Sequence, residues 1–170
     1  MNNSIVKYSV LILALAFLQV IIFNNVLFNG YINPLIYLLF VFVYPIRENK
    51  TNLLLLSFGL GIVIDFFSNS GGSNAASIVL IAYLRLPLLR IIQSNKEFDY
   101  LLFNVRKLNL LQLIIYVFTL TFIHHMLLFY LEYYTLKGFG YILLKSFYSS
   151  LLSSLILFLT LVLFVKNKQS

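Results

Sequence analysis

Polar breaks divide the chain into six apolar segments. The first runs from Ser4 to Phe23 and closes at Asn24-Asn25. The second, Tyr31 to Ile46, carries Pro34 in its first turn and Pro45 at its end, where proline is tolerated. A third covers Asn52 to Phe67. The fourth starts near Asn74 and reaches about Ile92, interrupted by Arg85, Pro87 and Arg90. The fifth covers Leu108 to Leu131, and the last Tyr141 to Val165. A membrane-crossing helix needs about 20 mostly apolar residues. The pattern therefore predicts an all-α integral membrane protein, a six-transmembrane-helix bundle, with spans near 4–23, 31–46, 52–67, 74–92, 108–131 and 141–165. Residues 1–170 form one polytopic domain with no soluble part.

Composition agrees with that pattern. The 170 residues are 61% hydrophobic and 10% charged, against about a quarter charged in soluble domains. With no cysteine, disulfides and thiolate chemistry are excluded. The apolar run after Lys7 continues past Ala14-Leu15-Ala16 to Phe23, which favours an uncleaved first span over a signal peptide.

The net charge of +7 acquires meaning once it is placed. With the N-terminus inside, Lys7, Arg47, Lys50, Arg85, Arg90, Lys96, Arg106, Lys107, Lys166 and Lys168 fall on the cytoplasmic side, and only Lys137 and Lys145 outside. This split follows the positive-inside rule, puts both termini in the cytoplasm, and needs no nucleic acid. The outer connections Phe23 to Gly30 and Ser68 to Ser73 are short and uncharged; Tyr133 to Gly140 is the third. In the cytoplasmic connector 94–107, Phe98, Leu101, Leu102 and Val105 recur at helical spacing between charged residues. That pattern suits a helix lying on the inner membrane surface, preferred to a partner-docking helix. The tyrosines fall largely near span ends, as interfacial anchors do.

Small and polar side chains replace the hydrophobic effect in joining helices within lipid. Ser57, Gly61, Asp65 and Ser68 share one face of the third span. Ser146, Ser149, Ser150, Ser153, Ser154 and Thr160 form a hydroxyl stripe on the sixth. Both faces should turn into the bundle, with Gln19 and Gln112. Asp65 is costly: an aspartate at mid-bilayer is disfavoured by about 2.5–3.5 kcal/mol, and a carboxylate near a helix C-terminus also opposes the dipole. Its partner should be an amide of the following turn (Asn69, Ser70, Gly71, Gly72), the start of the fourth span at Asn74, or a hydroxyl of another helix. A structural role pinning the turn between spans three and four is preferred to a proton or ligand site, since no second titrating group is in view.

His124 and His125 are adjacent, about 100° apart on a helix, so one metal cannot easily use both. The sequence lacks HxxxH and ExxH spacings. Thr121, His125 and Glu132 could share a face, but hydrogen-bonded bundle histidines are the better reading. Arg85 and Arg90 should snorkel to the inner headgroups, although Arg85 could pair with a buried acceptor. With no nucleophile–base pair, phosphate loop or cofactor motif in the sequence, neither enzyme activity nor a cofactor or metal is expected.

The segment GLGIVIDFFSNSGGSNAAS resembles the hallmark of the MreD family of rod shape-determining membrane proteins. Gly59-Leu60, Asp65, Gly71-Gly72 and Ala75-Ala76 stand where that family has a glycine-leucine pair, an aspartate, a small-residue turn and an alanine opening the next span. INPLIYLLFVFVYPI is similar to its second span. Ser73-Asn74 departs from relatives with a bulkier residue and a histidine, and resembles the flavobacterial variant. The resemblance implies a non-enzymatic scaffold or regulator of lateral cell-wall elongation and rod shape in the bacterial cytoplasmic membrane. Its direct partner would be MreC, with the MreB filament, the RodA glycosyltransferase and a penicillin-binding transpeptidase in the wider complex. The family is also similar in fold to the S-components of energy-coupling-factor transporters, so a vitamin-binding subunit is the alternative. Against it, the first span has Ala14 and Ala16 with Leu18 where a second docking alanine would stand, and the outer loops are short.

Overall fold

The computed structural model describes residues 3–25, 32–46, 48–93, 108–133 and 138–166. The amphipathic connector 94–107 lies outside them, as do Arg47, Lys137 and Lys168. The helices are α1 (Asn3–Ile21), α2 (Leu39–Val43), α3 (Lys50–Ser68), α4 (Ser73–Ile92), α5 (Leu110–Tyr133) and α6 (Phe139–Thr160). A 3₁₀ turn follows α1 at Phe23–Asn25, and a π-helical turn extends α6 over Leu161–Lys166. Among the described residues, five helices are long and apolar enough to cross a membrane: all except α2.

Burial inverts the arrangement of a soluble protein. Phe66 is 81% exposed and Ile91 74%, while Gln19, Arg85, His124 and His125 are almost wholly enclosed. Such a surface suits acyl chains, and such an interior must satisfy its own polar groups. The small residues of the third and sixth segments do face inward: Ser57, Gly61, Asp65, Ser146, Ser149, Ser150 and Ser153 are buried. Ser68 is exposed and Ser154 half-buried.

Helix α3 packs on α1 and α4, α4 on α5, and α5 on α6; the short α2 lies against α1, α3 and α4. Proline 87, which interrupts the apolar run of the fourth segment, sits inside a continuous α4 that matches the expected span, as membrane helices allow when neighbours re-satisfy the backbone. At the start of α5, Asn109 accepts from the Gln112 N–H (2.7 Å) and Gln112 Oε1 accepts from the Asn109 N–H (3.2 Å). Besides this reciprocal cap, the half-buried Gln112 directs its Nε2 to Ile92 O of α4 at 3.4 Å, so the side chain expected to turn inward also ties α5 to α4.

Segment 32–46 departs most from expectation. It is not one spanning helix: residues 33–36 lack regular structure, and only Leu39–Val43 are α-helical. The prolines give the reason. Pro34 has no N–H and disfavours helix at the residue before it; Pro45 forces Tyr44 out of the helix, to φ −61° and ψ 127°. The segment nevertheless runs alongside α1, in the opposite direction. Pro34 and Ile36 bond to Gln19 late in α1, whereas the Tyr44 ring lies 4.8 Å from that of Tyr8. Those two levels are about 16 Å apart along a helix rising about 1.5 Å per residue.

Backbone that leaves a helix inside an apolar environment needs substitute partners. Three helices provide them. Gln19 Nε2 donates to Pro34 O (3.2 Å), and Gln19 Oε1 accepts from the Ile36 N–H (2.8 Å). Ser153 Oγ accepts from the Leu35 N–H at 3.0 Å. The Arg85 guanidinium donates to Val41 O (2.7 Å), Tyr44 O (2.9 Å) and Pro45 O (3.2 Å). Arg85 is thus a buried clamp, 3% exposed, and does not reach out to headgroups.

Arg85→Met should leave those carbonyls without donors at about 1–3 kcal/mol each. The expected result is a detergent melting temperature lower by several degrees, with Arg85→Lys restoring only part because an ammonium lacks the planar fork. An unchanged melting temperature in Arg85→Met would contradict the clamp.

Candidate functional site

The site is built at the turn between α3 and α4. Asn69 (φ 52°), Gly71 (φ 62°) and Gly72 (φ 96°) are left-handed, a conformation that glycine adopts freely and asparagine tolerates. These residues reverse the chain within a few positions. Gly72 is the N-cap of α4 and has no side chain with which to cap it, so the first N–H groups of α4 need an acceptor from elsewhere.

Asp65 is that acceptor. Its Oδ1 accepts from Ser70 Oγ–H, the Asn74 N–H (3.0 Å) and Asn74 Nδ2 (3.1 Å), and its Oδ2 from the Ala75 N–H (2.9 Å). The carboxylate at the C-terminal end of one helix therefore lies on the positive end of the next, and α4 offsets the unfavourable dipole of α3. Among the partners expected from sequence, the start of the fourth span is the one used, and the turn contributes the Ser70 hydroxyl where an amide was expected.

Gly61 makes this reach possible. A Cβ there would lie 2.3 Å from Ala75 Cα, so the two backbones touch one helical turn before Asp65. Without that contact the carboxylate could not meet Asn74 and Ala75. Glycine 59, on the exposed side, has nothing within 4 Å of its would-be Cβ.

A chain of hydrogen bonds leads inward from Asp65. Asn74 commits Nδ2 to Asp65 and Ser70 Oγ (2.8 Å), so its Oδ1 is left to accept from Tyr37 Oη–H at 2.8 Å. With the Tyr37 proton used, the 3.0 Å contact to His124 Nε2 requires the imidazole to donate. His124 Nδ1 then has no partner among the described residues. The line Asp65–Asn74–Tyr37–His124 joins α3, α4, the inner segment and α5. The second histidine belongs elsewhere: His125 Nδ1 donates to Thr121 O (2.9 Å), and Nε2 faces Ser153 Oγ at 3.4 Å. The two rings thus serve separate networks as helix ties, and Glu132 is not drawn into either.

The hydroxyl stripe of α6 divides by role. Ser153 links His125 to the inner segment. Ser150 donates to Phe147 O of its own helix at 2.8 Å. Ser57, Ser146 and Ser149 have no hydrogen-bond partner for Oγ among the described residues; their contribution is small size where helices meet. Tyr37 and Ser70 have the most consequential roles that sequence reasoning missed. Tyr37 looked like one more aromatic residue in an apolar run, and no local signal paired it with Asn74 or His124.

At the same end of the bundle lies a cavity of about 560 Å³. Asn74 is in its wall, with Asn24, Asn33 and Ser68; Phe129, Tyr133 and Tyr141 add aromatic surface, and Glu132 and Lys145 bring opposite charges. The fold and site together define a helical multi-pass membrane protein with polar groups buried between its helices and a hollow at one end. Comparison with protein-family models, curated proteins and solved structures finds no match for this chain.

Gly61→Ala should lower the detergent melting temperature by the equivalent of about 1–3 kcal/mol of overpacking, whereas Gly59→Ala should not. Equal melting temperatures for the two variants would contradict the close approach.

Proposed function

We propose that this chain is a scaffold or regulator of the machinery that elongates the bacterial lateral cell wall, and that it performs no chemistry of its own. Its direct partner is MreC, with the MreB filament, RodA and a penicillin-binding transpeptidase further out in the complex. It sits in the cytoplasmic membrane with both termini inside, and the inner segment 32–46 is a sixth, broken crossing. Support for that topology comes from the distribution of lysine and arginine and from the opposite direction of this segment relative to α1.

One observation carries the reading. The residues that resemble the MreD hallmark form a single structural device: Gly61 sets the approach, Asp65 caps α4, and Gly71-Gly72 turn the chain between them. The carboxylate is saturated with donors from its own chain, which suits a brace better than a proton carrier. A rigid outer end of this kind is what a partner protein would rest on.

The cavity favours one other reading, an S-component-like vitamin-binding subunit, because about 560 Å³ is enough for a small ligand. Purified protein carrying stoichiometric vitamin would replace the scaffold reading with this one. The scaffold reading itself expects that clean deletion of the gene converts rods to rounded cells and that the tagged protein co-purifies MreC. Normal rod shape after deletion would contradict it.

A further inference from the structure

The cavity is lined by two oppositely charged side chains that feel each other's charge but make no direct contact. Lys145, from α6, directs its ammonium to the Tyr133 hydroxyl (3.1 Å) and over the ring of Phe129, 4.4 Å from the centroid. Glu132, from α5, also lines the cavity, and no hydrogen bond or ion pair joins it to Lys145. In a chain with five acidic residues, a carboxylate and an ammonium flank one hollow without pairing. The amide and hydroxyl groups deeper in the wall are already engaged: Asn24 with Gln19 and Ser68, Asn74 with Asp65, Ser70 and Tyr37. Glu132 and Lys145 are the groups in the wall that bring charge to a guest.

We propose that this cavity binds a zwitterionic group, a primary ammonium a few ångströms from a phosphate or carboxylate, with the ammonium against Glu132 and the anion against Lys145. A pure anion would meet the Glu132 charge and a pure cation the Lys145 charge, so a ligand bearing both signs is the complementary one. The Tyr133 and Tyr141 rings add aromatic surface to the wall, the Tyr133 ring already carrying the Lys145 ammonium 5.2 Å from its centroid. About 560 Å³ lies within the range for a small ligand. The cavity lies at one end of the bundle, where aromatic residues such as Tyr133 and Tyr141 mark the level of lipid headgroups. The zwitterion is thus either an ethanolamine headgroup of a membrane lipid or a free, water-soluble molecule of the same chemistry. Because Asn74 lies both in the cavity wall and in the Asp65 network, occupancy bears on the brace between α3 and α4.

The test is native mass spectrometry of the detergent-purified protein with phosphatidylethanolamine or phosphatidylglycerol added, alongside Glu132→Gln and Lys145→Met; melting temperatures confirm that both variants fold. The expected result is at least about tenfold greater retention of phosphatidylethanolamine than of phosphatidylglycerol, with each variant losing most of that preference. Displacement of the lipid by millimolar phosphoethanolamine would assign the site to soluble zwitterions; resistance to it would assign the site to the lipid. Free phosphoethanolamine bound with no retained lipid would also support the proposal, provided that both variants abolish it. Equal retention of the two lipids with no phosphoethanolamine binding, or a preference unchanged in both folded variants, would overturn it. None of these outcomes depends on MreC, so this proposal and the scaffold reading can fail separately.

Discussion

Asp65 gathers donors from a turn and from the first turn of the following helix, and the upper half of the bundle is arranged around that exchange. A carboxylate in an apolar environment is tolerated only when nearby donors replace water. Here the replacement is also a helix cap, because the N–H groups that need an acceptor belong to Asn74 and Ala75 of α4. Neither partner could be satisfied alone: Gly72 has nothing to offer α4, and α3 ends with its dipole against the charge. Each deficit removes the other. Gly61, by letting α3 and α4 touch, is the geometric condition for the exchange.

The same rule governs the inner segment on a larger scale. Two prolines keep residues 32–46 from forming a full helix, which frees backbone groups inside the bundle. Gln19, Ser153 and Arg85, from α1, α6 and α4, take the place of the missing helical bonds. Tyr37, near the middle of this segment, connects it to the Asp65 network through Asn74 and to α5 through His124. The polar interior is thus one set of side chains holding an irregular central segment among regular helices. Such irregular backbone is tolerated at membrane depth only when protein surrounds it, and the almost complete burial of Tyr37, Leu38, Phe40 and Val41 meets that condition.

Much of this was legible in the chain because lipid simplifies the rules. Long apolar runs between polar breaks correspond to helices, and small residues at helical spacing correspond to buried faces. Asp65 stood out as costly, and its partners could be narrowed to a few groups close in sequence. What remained hidden depended on long-range contact. Arg85 reads first as a snorkelling arginine and only second as one paired with a buried acceptor, because the carbonyls it meets are exposed only if the second segment breaks. That break was itself obscured by an apolar run whose prolines fell where a helix could still accept them. Ser153 looked like a packing serine, and nothing local revealed that a free N–H of Leu35 would lie opposite. The cavity, formed by side chains from separate elements, left no periodic signal.

The picture that results is of one end braced by Asp65 and hollow beside it, on a bundle whose helices expose many large apolar side chains. The zwitterionic guest proposed above would meet this end, where Asn74 joins the cavity wall to the Asp65 network. The most direct test of the brace is a double-mutant cycle in detergent melting with Asp65→Ala and Tyr37→Phe, whose side chains touch only through Asn74. A connected network requires a coupling of about 0.5–3 kcal/mol between them. Strict additivity would contradict it, leaving Asp65 a local cap and Tyr37 an unrelated core residue.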